Sequence, residues 1–343
     1  MPHDTTDSPT VLTLRHATGL ELSLMDLGAT WLSCKVPMPG GEAREVLLGR
    51  QSPREPQAMG AFLGATIGRY ANRIGQARIR RGDEVTQLTT NPGSKHQLHG
   101  GPRGFDKLRW TIASHDDQEA VFTLVSPDGD QGFPGQLDAR VSYRLLDGLV
   151  IEMQAEARTS APTPVCLTNH AYFNLDAVHA DARQQSLRIP AAQYLPVDGD
   201  LIPLGELASV QGTGFDFREP KTLARDWMRD GQQQPGAGYD HAFLLDAACA
   251  GMDQPAAQLR AADGSLAMEL FTTLPSVQMY AGQYLGGIPS RDGTPYPACA
   301  GIALEPQFLP DSPNHADWPE PSCWLMPGDL YRQTIRWRFT APV

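Results

Sequence analysis

The chain has 343 residues, 41% hydrophobic and 20% charged, with a formal net charge of −11. That balance is globular and the length is enough for a large core without a disulfide or metal staple. The acidity leaves no basic face for nucleic acid or an anionic membrane, and it disfavours a strongly anionic substrate unless arginines gather locally.

In chain order, residues 1–9 read as a frayed tail ahead of a single domain over 10–343. The opening MPHDTTDSPT has neither a basic start nor an apolar run, so no signal peptide is visible. "VLTLRHATGLELSLMDLG" (11–28) reads as strand, turn at Thr18-Gly19, strand. Segment 51–60 reads as a loop. "AVFTLVSPDGDQGFPG" is a strand running into a Pro/Gly turn, and "ARVSYRLLDGLVIEMQAEAR" is a hairpin turning at Asp147-Gly148. Segment 219–231 (EPKTLARDWMRDG) is a candidate helix or helical turn, and 228–239 a loop. "YRQTIRWRF" alternates apolar residues with arginines. The 33 glycines and 29 prolines cut the chain into short segments of alternating polarity, and no strand–helix alternation recurs. The expectation is an all-β sandwich or barrel-like fold with few short helices. Five widely spaced cysteines (Cys34, Cys166, Cys249, Cys299, Cys323), with no CxxC, suit a reducing compartment. No apolar run reaches membrane-span length, so a soluble, cytoplasmic protein is expected.

No dinucleotide fingerprint, P-loop, HExxH or GxSxG is present. "HQLH" (His96, His99) has two histidines three apart, but it sits on a Gly-rich turn rather than a helix, and a zinc pair would need further ligands. Five polar clusters remain: "GRYANRI" (68–74), "LHGG" (98–101), "LTNHAYFNL" (167–175), "GYDHAF" (238–243) and "ALEPQF" (303–308). Each places an ionisable residue among apolar ones: Arg73, His99, His170, Asp240 and Glu305. Any one alone is readily a satisfied core group, Arg73 pairing with Asp240 or Glu305 for instance. Five together point to a functional site, because buried charges must be paired or used.

The clusters, in this order, resemble the galactose mutarotase (aldose 1-epimerase) family. "GATIGRYANRI", "LHGGPRGFDKLRW", "LTNHAYFNL", "GFDFRE", "GYDHAF", "IALEPQFLPDSPNH" and "LMPGDLYRQTIRWRF" carry the resemblance, from about residue 11 to 340. It implies a large antiparallel β-sandwich of the galactose mutarotase-like type whose concave face binds one hexose. It implies interconversion of the α and β anomers of free aldoses such as galactose and glucose, with no cofactor and no metal. By motif, Glu305 resembles the general base, His170 the general acid, His99 a second active-site histidine, and Asn72, Arg73 and Asp240 the sugar-binding residues. Trp318 in "ADWPEP" and the basic "ARIRRGDEV" depart from the pattern without touching those residues.

The chemistry suits the residues. Opening a hemiacetal takes a proton from the C1 hydroxyl and gives one to the ring oxygen, so one base and one acid suffice. On this scheme His170 starts protonated; nearby carboxylates favour that and burial opposes it. Tyr172, Phe173, Trp110 or Phe308 are candidates to stack on the sugar, and Asn174 suits backbone hydrogen bonding. His96 reads as a surface residue, His241 as structural, on the opposite strand face from Asp240, and His315 as a loop cap that borders the pocket at most. Three alternatives stay open on the sequence. A glycosidase would use Asp240 and Glu305 as its carboxylate pair. A sugar-binding module would need no acid–base pair. A sugar-phosphate mutarotase would need an added arginine, for which Arg69 is the candidate. The preferred aldose and the oligomeric state are not legible.

Overall fold

In the computed structural model, residues 8–52, 54, 59–176 and 180–341 are described. The expected tail therefore falls almost wholly outside the described residues, and so does much of the 51–60 loop.

The regular secondary structure consists almost entirely of antiparallel strands, joined by turns and irregular segments. The largest sheet has nine, in the order Thr111–His115, Glu119–Ser126, Leu137–Leu146, Val150–Thr159, Tyr331–Thr340, Ala267–Thr272, Ala257–Arg260, Ser186–Arg188 and Lys221–Thr222. Its central strands follow from period-two patterning. Leu137, Ala139, Val141, Tyr143 and Leu145 are buried on one strand, and Ile151, Met153, Ala155 and Ala157 on the next. Asp147-Gly148 closes that hairpin, with Gly148 at φ +79°. On the last long strand Tyr331, Ile335, Trp337 and Phe339 turn inward. Its arginines turn outward and meet acids on the flanking strands: Arg332 reaches Glu156 at 2.8 Å, Arg336 reaches Glu152 at 2.6 Å and Arg338 reaches Glu269 at 2.5 Å. Such half-exposed pairs contribute at most about 1 kcal/mol each. They do explain why the strand alternates apolar residues with arginine.

A six-stranded sheet runs Tyr172–Phe173, Ile302–Gln307, Ser276–Tyr280, Asp240–Leu244, Gln193–Tyr194 and Ala208–Ser209. A four-stranded meander, Val11–Arg15, Glu21–Met25, Thr30–Pro37 and Ala43–Glu45, completes the framework. Apolar faces of all three sheets enter one hydrophobic cluster. Trp31 sits at its centre, 4.9 Å from Trp337 and 5.9 Å from Phe173 between ring centroids. All five cysteines are buried and unbridged. No helix among the described residues is long and apolar enough to cross a membrane.

Of the two readings of 219–231, helix or helical turn, the structure has the turn. Lys221–Thr222 is an edge strand, Leu223–Asp226 a short 3-10 turn, and Gly231–Gln233 another. Pro220 and Gly231 bracket the segment, and within the first turn only Leu223 is buried, so no apolar stripe holds a longer helix down.

Candidate active site

The six-stranded sheet carries the site because antiparallel register aligns its side chains in rows. Gln278 pairs with Glu305 and Ala242, and Tyr280 with Ala303 and Asp240, so these residues share one face. The other face holds Met279, Leu304 and His241 in the core. The strand Ile302–Gln307 is buried at every position, which leaves Glu305 enclosed at 2% exposure.

Connecting segments add the rest. Asn72, at φ +65°, precedes the short strand Arg73–Ile74, which pairs with Gln97–Leu98. That pairing sets His99 beside Asn72: the His99 N–H donates to Asn72 O, and the Asn72 N–H donates to His99 Nδ1 at 3.1 Å. The "LHGG" turn needs its first glycine, because a Cβ on Gly100 would lie 1.9 Å from Gly68 O. His170 is pinned through its backbone, its N–H donating to Ala65 O and its carbonyl accepting from Gly64 N. Its neighbour Asn169 turns the other way and donates to Gly64 O and the Tyr143 hydroxyl.

Asn72, Arg73, His99, His170, Asp240 and Glu305 thus line one cavity of about 560 Å³, a size suited to a small-molecule ligand. His170 Nε2 is 3.6 Å from Glu305 Oε2. Arg73 Nη1 is 3.9 Å from Asp240 Oδ2, and Gln278 Nε2 donates to Asp240 Oδ1 at 2.5 Å. Glu305 Oε2 and His170 Nδ1 are buried without hydrogen-bond partners among the described residues. Burial pushes the Glu305 carboxyl well above the usual range, and the nearby Asp240 charge pushes it the same way, against the pull of Arg73. Burial lowers His170 to about 4. Burial also holds His99 well below its ordinary value, helped by His170, Arg73 and Lys107. Asp240 is raised by burial, against Arg73 and the Gln278 hydrogen bond. Burial is the largest influence on both members of the Glu305–His170 pair, and it favours the neutral form of each.

His99, His170 and Glu305 each offer a ligand atom within 4.8 Å of the others, a spacing open to a metal ion. The His99 tautomer fits that role poorly. Its Nδ1 accepts the Asn72 N–H, so its proton sits on Nε2, and ligation through Nε2 would break that hydrogen bond or require an imidazolate. The donor set fits a hydrogen-bonding and proton-transfer site better.

Other expectations divide. Tyr172 lines the cavity, whereas Phe173, Trp110 and Phe308 are buried in the main core. Phe62 and Tyr280 also line it and were not singled out from the sequence. Gln278, behind both carboxylates, was missed as well. Asn174 does serve backbone, donating to Ala180 O and Ala300 O. His241 is structural, fully buried against Phe215 at 4.6 Å. His96 is a correction: it is 7% exposed, because its ring packs back onto the 3-10 turn Gly75–Ala77, where Nδ1 accepts the Gln76 N–H. Arg69 is another: its guanidinium is spent on Ser126 Oγ and the carbonyls of Ser126, Pro127 and Pro134, away from the cavity. His315 caps its loop through Asp311 at 3.2 Å, stacks on Trp318 at 4.0 Å, and does not line the cavity.

A fold of this kind with a single buried carboxylate–histidine pair defines a class, and comparison places the chain within it. The aldose 1-epimerase family model matches residues 10–338. The chain is 49% identical over 331 residues to the aldose 1-epimerase of Escherichia coli (strain K12), covering 96% of this chain and 95% of the relative. It is 36% identical over 330 residues to the galactose mutarotase of Homo sapiens, covering 94% and 91%. Among solved structures, an aldose epimerase homologue from C. elegans superposes with a TM-score of 0.89 at 28% identity, covering 98% of this chain and all of that one. A galactose 1-epimerase from Lactobacillus acidophilus NCFM gives 0.84 at 28%, covering 100% and 98%. The chain belongs to the aldose 1-epimerase family.

Proposed function

We propose that the protein is a mutarotase that interconverts the α and β anomers of free hexoses, galactose and glucose among them, by general acid–base catalysis. The observation that carries this reading is the buried Glu305–His170 pair, 3.6 Å apart on the wall of a cavity roomy enough for a hexose. Glu305 takes the C1 hydroxyl proton and His170 delivers one to the ring oxygen. The open aldehyde rotates about C1–C2 and the roles reverse on closure. The pair carries one proton throughout. With sugar hydroxyls and Arg73 replacing lost solvation of the carboxylate, that proton passes to His170 and the productive form is reached without exchange with solvent. His99 Nε2–H is a neutral donor to a sugar oxygen. Asn72, Arg73 and Asp240 hold the hydroxyls, the last fixed by Gln278. Tyr172 and Tyr280 offer aromatic surface to the ring. The buried, unbridged cysteines support a reducing, cytoplasmic setting.

Asp240 and Glu305 could serve a glycosidase in principle, yet the group in contact with Glu305 is His170. The spent guanidinium of Arg69 disfavours a sugar-phosphate substrate. Polarimetry on freshly dissolved α-D-galactose and α-D-glucose, with and without protein, tests the reading. Acceleration is expected, and no acceleration on any aldose overturns it. Sustained nitrophenol release from nitrophenyl glycosides would establish the hydrolase instead.

A further inference from the structure

Both cavity histidines rest on one ring that no sequence motif pointed to. Phe62 stacks on His170 with centroids 5.6 Å apart and planes at 21°, and meets His99 edge-on at 4.6 Å. Lys107 Nζ lies 5.1 Å from the centre of the same ring, within cation–π range. Lys107 is in turn fixed: it binds Asp106 Oδ2 at 2.7 Å, and Asp106 is 4% exposed on the 3-10 turn Phe105–Lys107. Arg50 also acts on Asp106, so the carboxylate anchors Lys107 from a buried position.

We propose that Lys107 is a positioning residue: anchored by Asp106, it fixes the Phe62 ring against which His99 and His170 are held. This rests on the mutarotase reading above. The groups facing the histidines are then Glu305 and Tyr172 beside His170, Asn72 and Arg73 beside His99, each histidine beside the other, and Lys107 across Phe62. Arg73 and Lys107 are the cations in this set. Lys107 is one of the charges that hold His99 neutral, so removing it raises the proton affinity of His99. His99, edge-on to His170 at 5.3 Å, then takes an inactivating proton at higher pH, at the expense of the Asn72 N–H bond to its Nδ1.

The test is the pH–rate profile of galactose mutarotation for Lys107→Met, Lys107→Arg and the double variant Asp106→Asn/Lys107→Met, the last leaving no unpaired buried carboxylate if Lys107→Met folds poorly. Histidine ring shifts followed by NMR titration supply a readout independent of turnover. The acid limb is expected to move up by about half to one pH unit in Lys107→Met, by less in the double variant, which also removes the opposing Asp106 charge, and to stay in place in Lys107→Arg. KM is expected to change less than about threefold. An active wild type whose acid limb and ring titrations are unmoved in the Met variants overturns the inference while leaving the function intact. A wild type without mutarotase activity overturns the function itself.

Discussion

Replacing Glu305 with Gln removes a proton carrier at nearly constant shape. Glu305 is 2% exposed, and burial together with Asp240 favours its neutral acid. An amide therefore replaces a neutral carboxyl and buries no new charge. Its Oε2 gives up only the 3.6 Å approach to His170, since no hydrogen bond to it exists among the described residues. Stability should change by less than about 1 kcal/mol, a melting shift of no more than about 3 °C. Activity should change far more. One general base contributes on the order of 10²–10⁴-fold, or about 2.7–5.4 kcal/mol of barrier. The assay is the polarimetric relaxation of α-D-galactose at pH 7, with sugar binding followed by calorimetry and folding by thermal melt. A folded variant that binds galactose and keeps more than about a tenth of the wild-type rate would refute the assignment of Glu305 as the base.

The rate–pH profile of the wild type should be bell-shaped, its acid limb near pH 4, where His170 gains a second proton for the pair, and its alkaline limb well above the ordinary carboxylate range, where Glu305 loses the only one. Arg73→Met should raise KM for galactose about 10–100-fold, the loss of one or two charge-assisted hydrogen bonds, in steady-state polarimetry. His241→Phe should flatten the acid dependence of stability. Burial lowers His241 from 6.5 to about 4, so the unfolded chain binds the proton first and stability falls as pH drops through that window, by about 2–3 kcal/mol at pH 4.5; urea melts at pH 7 and 4.5 should give a smaller drop for the variant. Gly100→Ala should cost about 2 kcal/mol or more in the same melts, since its φ is +80° and the new Cβ meets Gly68 O, whereas Gly82→Ala, at φ +60° with open space around it, should cost about 1 kcal/mol.

What the sequence made legible was local. Asp147-Gly148 between alternating runs fixes a hairpin from a handful of residues, and the structure has it. Asn72 came only through the family resemblance, but five polar residues of the site (Arg73, His99, His170, Asp240 and Glu305) were legible by type, because a charged or imidazole group amid apolar neighbours is conspicuous wherever it occurs. Gln278 was not. Its place depends on register with Glu305 across a strand pair whose partners lie 27 positions apart, and a glutamine in "PSVQMY" carries no local signal. Phe62 was hidden for a related reason: its position at φ +58°, between the two histidines, is set by a connecting segment with no periodicity. His96 misled because a turn of polar residues reads as surface, while the Gln76 N–H that draws it inward belongs to a different segment.

Burial, rather than any one charge, governs the site. It is the largest influence on Glu305, His170, His99 and Asp240 alike, raising the acids and lowering the bases. Moving acid and base in opposite directions looks wasteful for a pair meant to exchange a proton, since it favours carboxyl and neutral imidazole over their charged counterparts. It suits this reaction because ring closure repeats ring opening in reverse. Whatever protonation state begins the cycle must be restored by its end. A buried pair that neither gains nor loses a proton between its two limbs satisfies that condition without solvent, and the proton need only cross the 3.6 Å between Glu305 and His170. On the proposed mechanism Asp240, held by Gln278 and facing Arg73, does more than grip hydroxyls: its charge presses the shared proton toward Glu305, and hydroxyls bound to Asp240 offset that charge and favour passage of the proton to His170 as substrate arrives. On that mechanism, substrate binding itself arms the acid.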